Sequence, residues 1–152
     1  MTKVITIPWP SPKTPFPGAN ELEDAARAHW SVAHKLRKKW KDWFIIHMVP
    51  LPKRKLKRVW LKITYLEVNM EGQYARDPDN IAAIKKILLD SLKDAEVIPD
   101  DKHEQIAGWT ESFKLDPNGG IRLRLVDMDK VVVEDAGLPE DFKDMIREVT
   151  KI

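Results

Sequence analysis

Residues 76–101 read R-D-P-D-N-I-A-A-I-K-K-I-L-L-D-S-L-K-D-A-E-V-I-P-D-D. Within this stretch Ile81, Ile84, Leu88, Leu92 and Ala95 recur at steps of three and four, the spacing of one helix face. The pattern predicts a helix over 80–95 with Asp79 as its cap. Pro78 disfavours the helical region for the residue before it, so Asp77 is expected to be extended. Side chains two apart in an extended segment point the same way, which lets Asp77 and Asp79 share one metal ion or two close ones. On the helix itself Asp79, Ala83, Lys86 and Asp90 fall on one face, opposite the apolar stripe. Asp100 and Asp101 follow Pro99 on the return segment, where one of them is expected to complete a metal shell. Clustered carboxylates without Cys or convergent His are the usual ligands of Mg²⁺, and Mg²⁺ held this way serves phosphate chemistry. The same residues also suit plain structure. Asp-Pro-Asp-Asn is a good turn and helix start, and Lys86 with Asp90 is an ordinary i,i+4 surface pair.

Outward from this segment, strands and helices interleave irregularly. Val4–Ile7 reads as a short strand, followed by five prolines between residues 8 and 17 that predict an ordered loop over 8–19. Leu22, Ala26, His29, Ala33, Leu36, Trp40 and Trp43 mark one face of a single helix from Asn20 to about residue 46, with Asn20 as cap and Glu23 as its capping-box partner. Residues 50–57 form a basic turn. From Val59 to about Met70 the alternation of Val59, Leu61, Ile63 and Tyr65 predicts a strand, with a loop at 71–76. Residues 104–115 and 121–128 read as two strands joined as a hairpin by Asp116-Pro117-Asn118-Gly119-Gly120. A last helix is expected from Pro139 to Thr150. The order predicts an α+β fold, one small domain over residues 1–152 with a mixed β-sheet and flanking helices.

Composition sets the bounds. Apolar residues make up 43% of the 152, enough for a core, and the net charge is only +2. The absence of Cys removes disulfides and thiolate metal sites and fits a reducing cytoplasm. No apolar run reaches the roughly 18 residues of a membrane span, so no membrane partner is expected.

With Asp77, Asp79, Asn80, Lys86, Asp90 and the Asp100-Asp101 pair set out, the chain resembles the RusA-like Holliday-junction resolvases, many of them phage-encoded. Their core motif is Asp-x-Asp-Asn, then a helix carrying a Lys and, four residues later, an Asp, then an Asp-Asp pair. Here it reads D-P-D-N at 77–80, Lys86, Asp90 and V-I-P-D-D at 97–101, and Ile5-Thr6-Ile7-Pro8-Trp9-Pro10 resembles the family's opening strand and turn. The matches cover about a third of the chain. The resemblance implies a compact, intertwined homodimer that resolves four-way DNA junctions by paired symmetric nicks, with Mg²⁺ as cofactor and Mn²⁺ as a substitute. It implies Asp77, Asp79 and Asp101 as catalytic metal ligands, Lys86 as the catalytic lysine, Asp90 and Asp100 in support, and Arg76 beside the DNA. It also implies a bacterial or phage-infected cytoplasm. Four features depart from the pattern, one being that Lys13-Thr14 stands where the family often carries a polar, Asn-containing stretch after the N-terminal prolines. The step from Asn80 to Lys86 is about three residues longer than in the bacterial prototype, leaving Lys85 as a rival to Lys86. Glu96 stands where a Gly is common, and the long helix at 20–46 is unlike the prototype.

Between residues 35 and 58 ten Lys and Arg residues face one acid, Asp42. Lys38, Lys39, Lys53, Arg54, Lys55, Lys57 and Arg58 are the expected phosphate contacts, with a solvated helix face and turn as the alternative. Phe16 is the candidate wedge into a junction, whereas Trp40 and Trp43 read as core. The four His are dispersed, which argues against zinc. Other readings of the same chain are a nuclease for forks or flaps and a non-catalytic protein that binds branched DNA.

Overall fold

The computed structural model describes residues 2–54, 56–68, 76–100 and 102–129, together with Glu140, Asp141 and Asp144. Strand β1 (Thr2–Pro8) is followed by helices α1 (Ala19–Ala28) and α2 (Trp30–His47). Next come β2 (Val59–Glu67), the short helix α3 (Pro78–Ala82), α4 (Lys85–Asp94), β3 (Ile106–Leu115) and β4 (Gly120–Asp127). The four strands form one mixed sheet in the order β1-β4-β2-β3. β2 and β3 run parallel, and β4 is antiparallel to both β1 and β2. The fold is thus α+β with a mixed sheet, as the interleaved pattern predicts. The predicted 71–76 loop lies almost wholly outside the described residues. So does most of the C-terminal helix, of which Glu140, Asp141 and Asp144 are helical.

The period-2 and period-3.6 patterns meet in one core. Val59, Leu61, Ile63 and Tyr65 from β2 and Ile121, Leu123 and Leu125 from β4 form one apolar cluster with Ile81, Ile84, Leu88, Leu92 and Ala95. Trp40, Phe44 and Met48 join it from α2. Burial of a side chain such as Leu88 or Leu92 contributes about 1.5–3 kcal/mol.

Four local expectations are corrected. The helix predicted from Asn20 to residue 46 is two helices, because His29 adopts an extended backbone (φ −171°, ψ 148°). Its Nδ1 accepts the Ser31 N–H at 3.1 Å and so caps α2. Asn20 lies inside α1, whose cap residue is Gly18. The Asn20 N–H is instead taken by the Asn80 side-chain oxygen at 3.3 Å, a cap supplied from α3. A Cβ on Gly18 would meet that oxygen at 2.4 Å, so this contact needs glycine.

The helix predicted over 80–95 begins earlier and breaks. Asp77, not Asp79, is its cap residue, extended as Pro78 requires. Between α3 and α4 the Ile84 N–H reaches back three residues to Ile81 O, which tightens the path while keeping both isoleucines in the core. At the far end Glu96 has φ 61°, and the Val97 N–H bonds Leu92 O at 3.0 Å, the pattern of a Schellman cap. The position that favours glycine there is therefore filled by Glu96, which an ion pair to Arg54 holds.

The Asp116–Gly120 turn forms, with Asp116 Oδ1 accepting the Asn118 and Gly119 N–H groups, but it does not close a hairpin. β4 passes over the end of β2 and inserts between β2 and β1, leaving β3 on the far side of β2. Trp9 packs on Gly119 (φ 73°), where a Cβ would come within 2.3 Å of its ring, and the Trp9 N–H bonds Gly119 O. This anchorage to the β1 end carries the turn across. Finally, Phe16 is no exposed wedge. It is 3% exposed and packs edge-on against Trp40 and Phe44.

Candidate metal centre and nucleic-acid interface

Asp77 and Asp79 are exposed at the start of α3. The segment is held by Arg76, whose guanidinium donates twice to the Glu67 carboxylate (2.7 and 2.8 Å) and once to Phe16 O at 2.7 Å. One side chain thus ties the carboxyl end of β2 to the proline loop and fixes where the Asp-Pro-Asp-Asn segment leaves. All of this geometry is intramolecular, so Arg76 acts here as a clamp. Asn80 fastens the other side of the segment to α1. Among the described residues neither Asp77 nor Asp79 has a side-chain hydrogen bond or ion pair.

Asp100 sits elsewhere. It lies 3.8 Å from Lys93 Nζ, beyond the end of α4, and 3.7 Å from Lys102 Nζ. The ten residues of α4 alone span about 15 Å at 1.5 Å per residue, with α3 still to add. Asp100 also precedes the start of β3, while Glu67, clamped to Arg76, pairs with the end of β3 at Leu115. Within one chain, Asp100 is therefore at the opposite end of the sheet from Asp77 and Asp79. Asp101 lies outside the described residues, and among those described no three Asp, Glu or His side chains form a metal-holding group. Asp79 lies inside α3, so the extended 77–79 segment expected to point both carboxylates the same way does not form; what fits Mg²⁺ is the chemistry, since that ion takes one or two carboxylates and fills its shell with water and phosphate oxygens.

The two neighbouring lysines part company. Lys85 Nζ is 2.8 Å from Glu111 Oε1 and lies over the Trp109 ring. Glu111 also accepts from Tyr65 OH at 2.8 Å and Trp109 Nε1 at 3.2 Å. Burial pushes the Glu111 carboxyl up, but the hydrogen bonds from Lys85, Tyr65 and Trp109 outweigh it and hold the group below its ordinary value. Burial, then the bond to Glu111, push the Tyr65 phenol far up. Lys86 is exposed and, with Ala83 and Asp90, lines a shallow groove closed by Leu22 and Arg37. The structure thus leaves Lys86 open on the same surface as Asp90.

The basic 35–58 run is mostly exposed. Lys38 pairs with Asp42 at 2.9 Å, and Lys39 lies over the Trp40 ring. Lys53 and Lys57 are exposed, Arg58 is half-buried, and Lys55 is outside the described residues. Arg54 has φ 57° and holds Glu96. Trp43 donates its Nε1–H to Pro8 O at 2.8 Å, so it and Trp40 are structural, as their spacing suggests.

A second basic surface escapes a reading by runs. Lys62, Arg122, Arg124 and Lys114 line a cavity of about 420 Å³ on the sheet face opposite α4, where the helical residue Asp141 also lines it. Its sequence signal is the alternation Arg122-Leu123-Arg124-Leu125, which puts both arginines on one side of a strand. No protein-family model matches the chain, and no curated protein matches it in sequence.

Proposed function

We propose that this protein is a Mg²⁺-dependent endodeoxyribonuclease of the RusA-like type, acting as a homodimer on four-way DNA junctions. The observation that carries the reading is the Asp-Pro-Asp-Asn segment. Two exposed carboxylates without protein partners stand on a segment clamped from both sides by Arg76 and Asn80. At a helix start such exposed carboxylates contribute only about 0.3–1 kcal/mol to stability, whereas two carboxylates two residues apart suit a divalent cation. Mg²⁺ there would activate water and neutralise charge on a scissile phosphate. Lys86 would contact the phosphate from the exposed side of α4, while Lys85 is held back by Glu111.

The homodimer reading draws support from β3. It is a sheet edge of ten residues without proline, and Trp109, Phe113 and Leu115 are 42%, 39% and 65% exposed along one side. Such an edge invites a further strand. Antiparallel pairing of two β3 edges about a two-fold axis would set the Asp100 end of one protomer beside the Asp77–Asp79 end of the other.

The test is nicking of a synthetic four-way junction in Mg²⁺, beside linear duplex and a fork, by wild type and Asp79→Asn. Symmetric junction cuts abolished by Asp79→Asn support the reading. Preferential cutting of the fork moves the substrate, and junction binding without cutting in Mg²⁺ or Mn²⁺ leaves a DNA-binding protein.

A further inference from the structure

The face of the sheet opposite α4 sets like charges side by side, with Asp141, from a helical stretch, at the same cavity. Lys62 on β2 lies directly opposite Arg124 on β4, and Arg122 lies opposite Thr64 one row further along. Like charges facing each other across an antiparallel pair repel. Lys114 adds a fourth cation from β3, and none of the four has an ion-pair partner among the described residues. The cavity they line also presents Thr64, Thr110 and Ser112 hydroxyls. Thr64 Oγ1 and Ser112 Oγ satisfy each other at 3.1 Å, but Thr110 Oγ1 is buried and has no hydrogen-bond partner among the described residues. The acids at the rim are Glu111, which Lys85 engages on the opposite face, and Asp141.

We infer that this face is a binding surface for the phosphodiester backbone of a nucleic acid, with Lys62, Arg122, Arg124 and Lys114 as its phosphate contacts. A bound phosphate would remove the repulsion between Lys62 and Arg124, and its oxygens would accept from both guanidinium groups. The spacing is regular. Arg122 and Arg124 are two residues apart on one strand, about 6.8 Å, and Lys62 lies one strand over, about 4.8 Å away. Such a grid meets successive phosphates rather than one small anion. A membrane surface is disfavoured, because interfacial binding needs an apolar anchor and, among the described residues, Val4 is the one apolar side chain lining the cavity. The inference deepens the nuclease reading, since it assigns the DNA a path over the sheet in addition to the 35–58 run. It requires binding alone, not cleavage.

The experiment is fluorescence anisotropy of a labelled four-way junction and a labelled duplex, with the full chain in EDTA, across a salt series. Arg122→Ala/Arg124→Ala is compared with wild type and with Lys53→Ala/Lys57→Ala. The sheet variant is expected to bind on the order of 10–100-fold more weakly at 0.1 M salt, with a log–log salt slope shallower by about two. Its thermal melt reports folding. Because a folded loss could still be indirect, Lys62→Met supplies a second variant and should reduce the slope by about one. Unchanged affinity and slope in both sheet variants would overturn the inference. So would equally tight, charge-dependent binding to phosphatidylserine vesicles. Nicking in Mg²⁺ is scored separately: a wild type that binds through this face and does not cut defeats the nuclease reading alone.

Discussion

On the helix-facing side of the sheet, Ile63, Ile121, Leu123 and Tyr65 are at most 1% exposed, and the Tyr65 hydroxyl is paired with Glu111. On the opposite side, their sequence neighbours Lys62, Arg122 and Arg124 are set close together without ion-pair partners among the described residues. The same two strands, β2 and β4, therefore carry two different solutions. One side minimises free energy by burial, and the other tolerates repulsion.

The largest effect that separates the two sides is loss of volume in the core. Leu92→Ala should cost about 2–5 kcal/mol in urea denaturation, against less than about 0.5 kcal/mol for Arg122→Ala. Equal costs would mean that the outer face is packed after all. Next comes the Arg76 clamp, which is 20% exposed against 15% for Glu67. Arg76→Ala should cost about 1.5–3 kcal/mol and speed hydrogen exchange in the proline loop, because Phe16 O and the Glu67 carboxylate both lose their donor. A smaller effect attaches to Glu111. Its folded pKa is depressed, so its contribution is present above the unfolded value of about 4.3 and fades as pH falls through the lower folded value. Glu111→Gln should lose about 1 kcal/mol at neutral pH and show a flatter stability profile in acid, read by thermal melts at a series of pH values. The smallest change is a gain. Lys62→Met should stabilise the protein by a few tenths of a kcal/mol in low salt, and the gain should vanish in 1 M salt.

Periodicity made the core legible. The stripe Ile81, Ile84, Leu88, Leu92 and Ala95 and the alternation in β2 both point inward, because burial acts on every third, fourth or second residue regardless of the neighbours. Strand order was not legible. The Asp116–Gly120 turn carries the local signal of a hairpin, and only the distant contact of Trp9 with Gly119 sends β4 past β2. The break at His29 was hidden because the residue fits the apolar period, while its imidazole turns back to cap Ser31. In the candidate site, the extended backbone of Asp77 followed from Pro78, but Asp79, expected to cap the helix from the same extended segment, lies inside α3. The work of Asn80 and Arg76 was not legible, since their partners near Gly18 and at Glu67 are remote or unmarked in sequence. The basic sheet face became visible only once β4 lay beside β2, for two separated arginines and one lysine do not form a run.

The pairing of β1 with β4 sets a clock on synthesis. Lys3 lies opposite Leu125, and β1 has no other strand partner in the sheet. At about 5–20 residues per second, translation of the intervening ~120 residues takes about 6–25 s. During that interval the first strand made is a free edge, and the sheet closes only after the last strand arrives. A nascent or truncated chain lacking β4 would lack both the described strand partner of β1 and the two arginines beside Lys62, so strand pairing and the charge of the outer face arrive together.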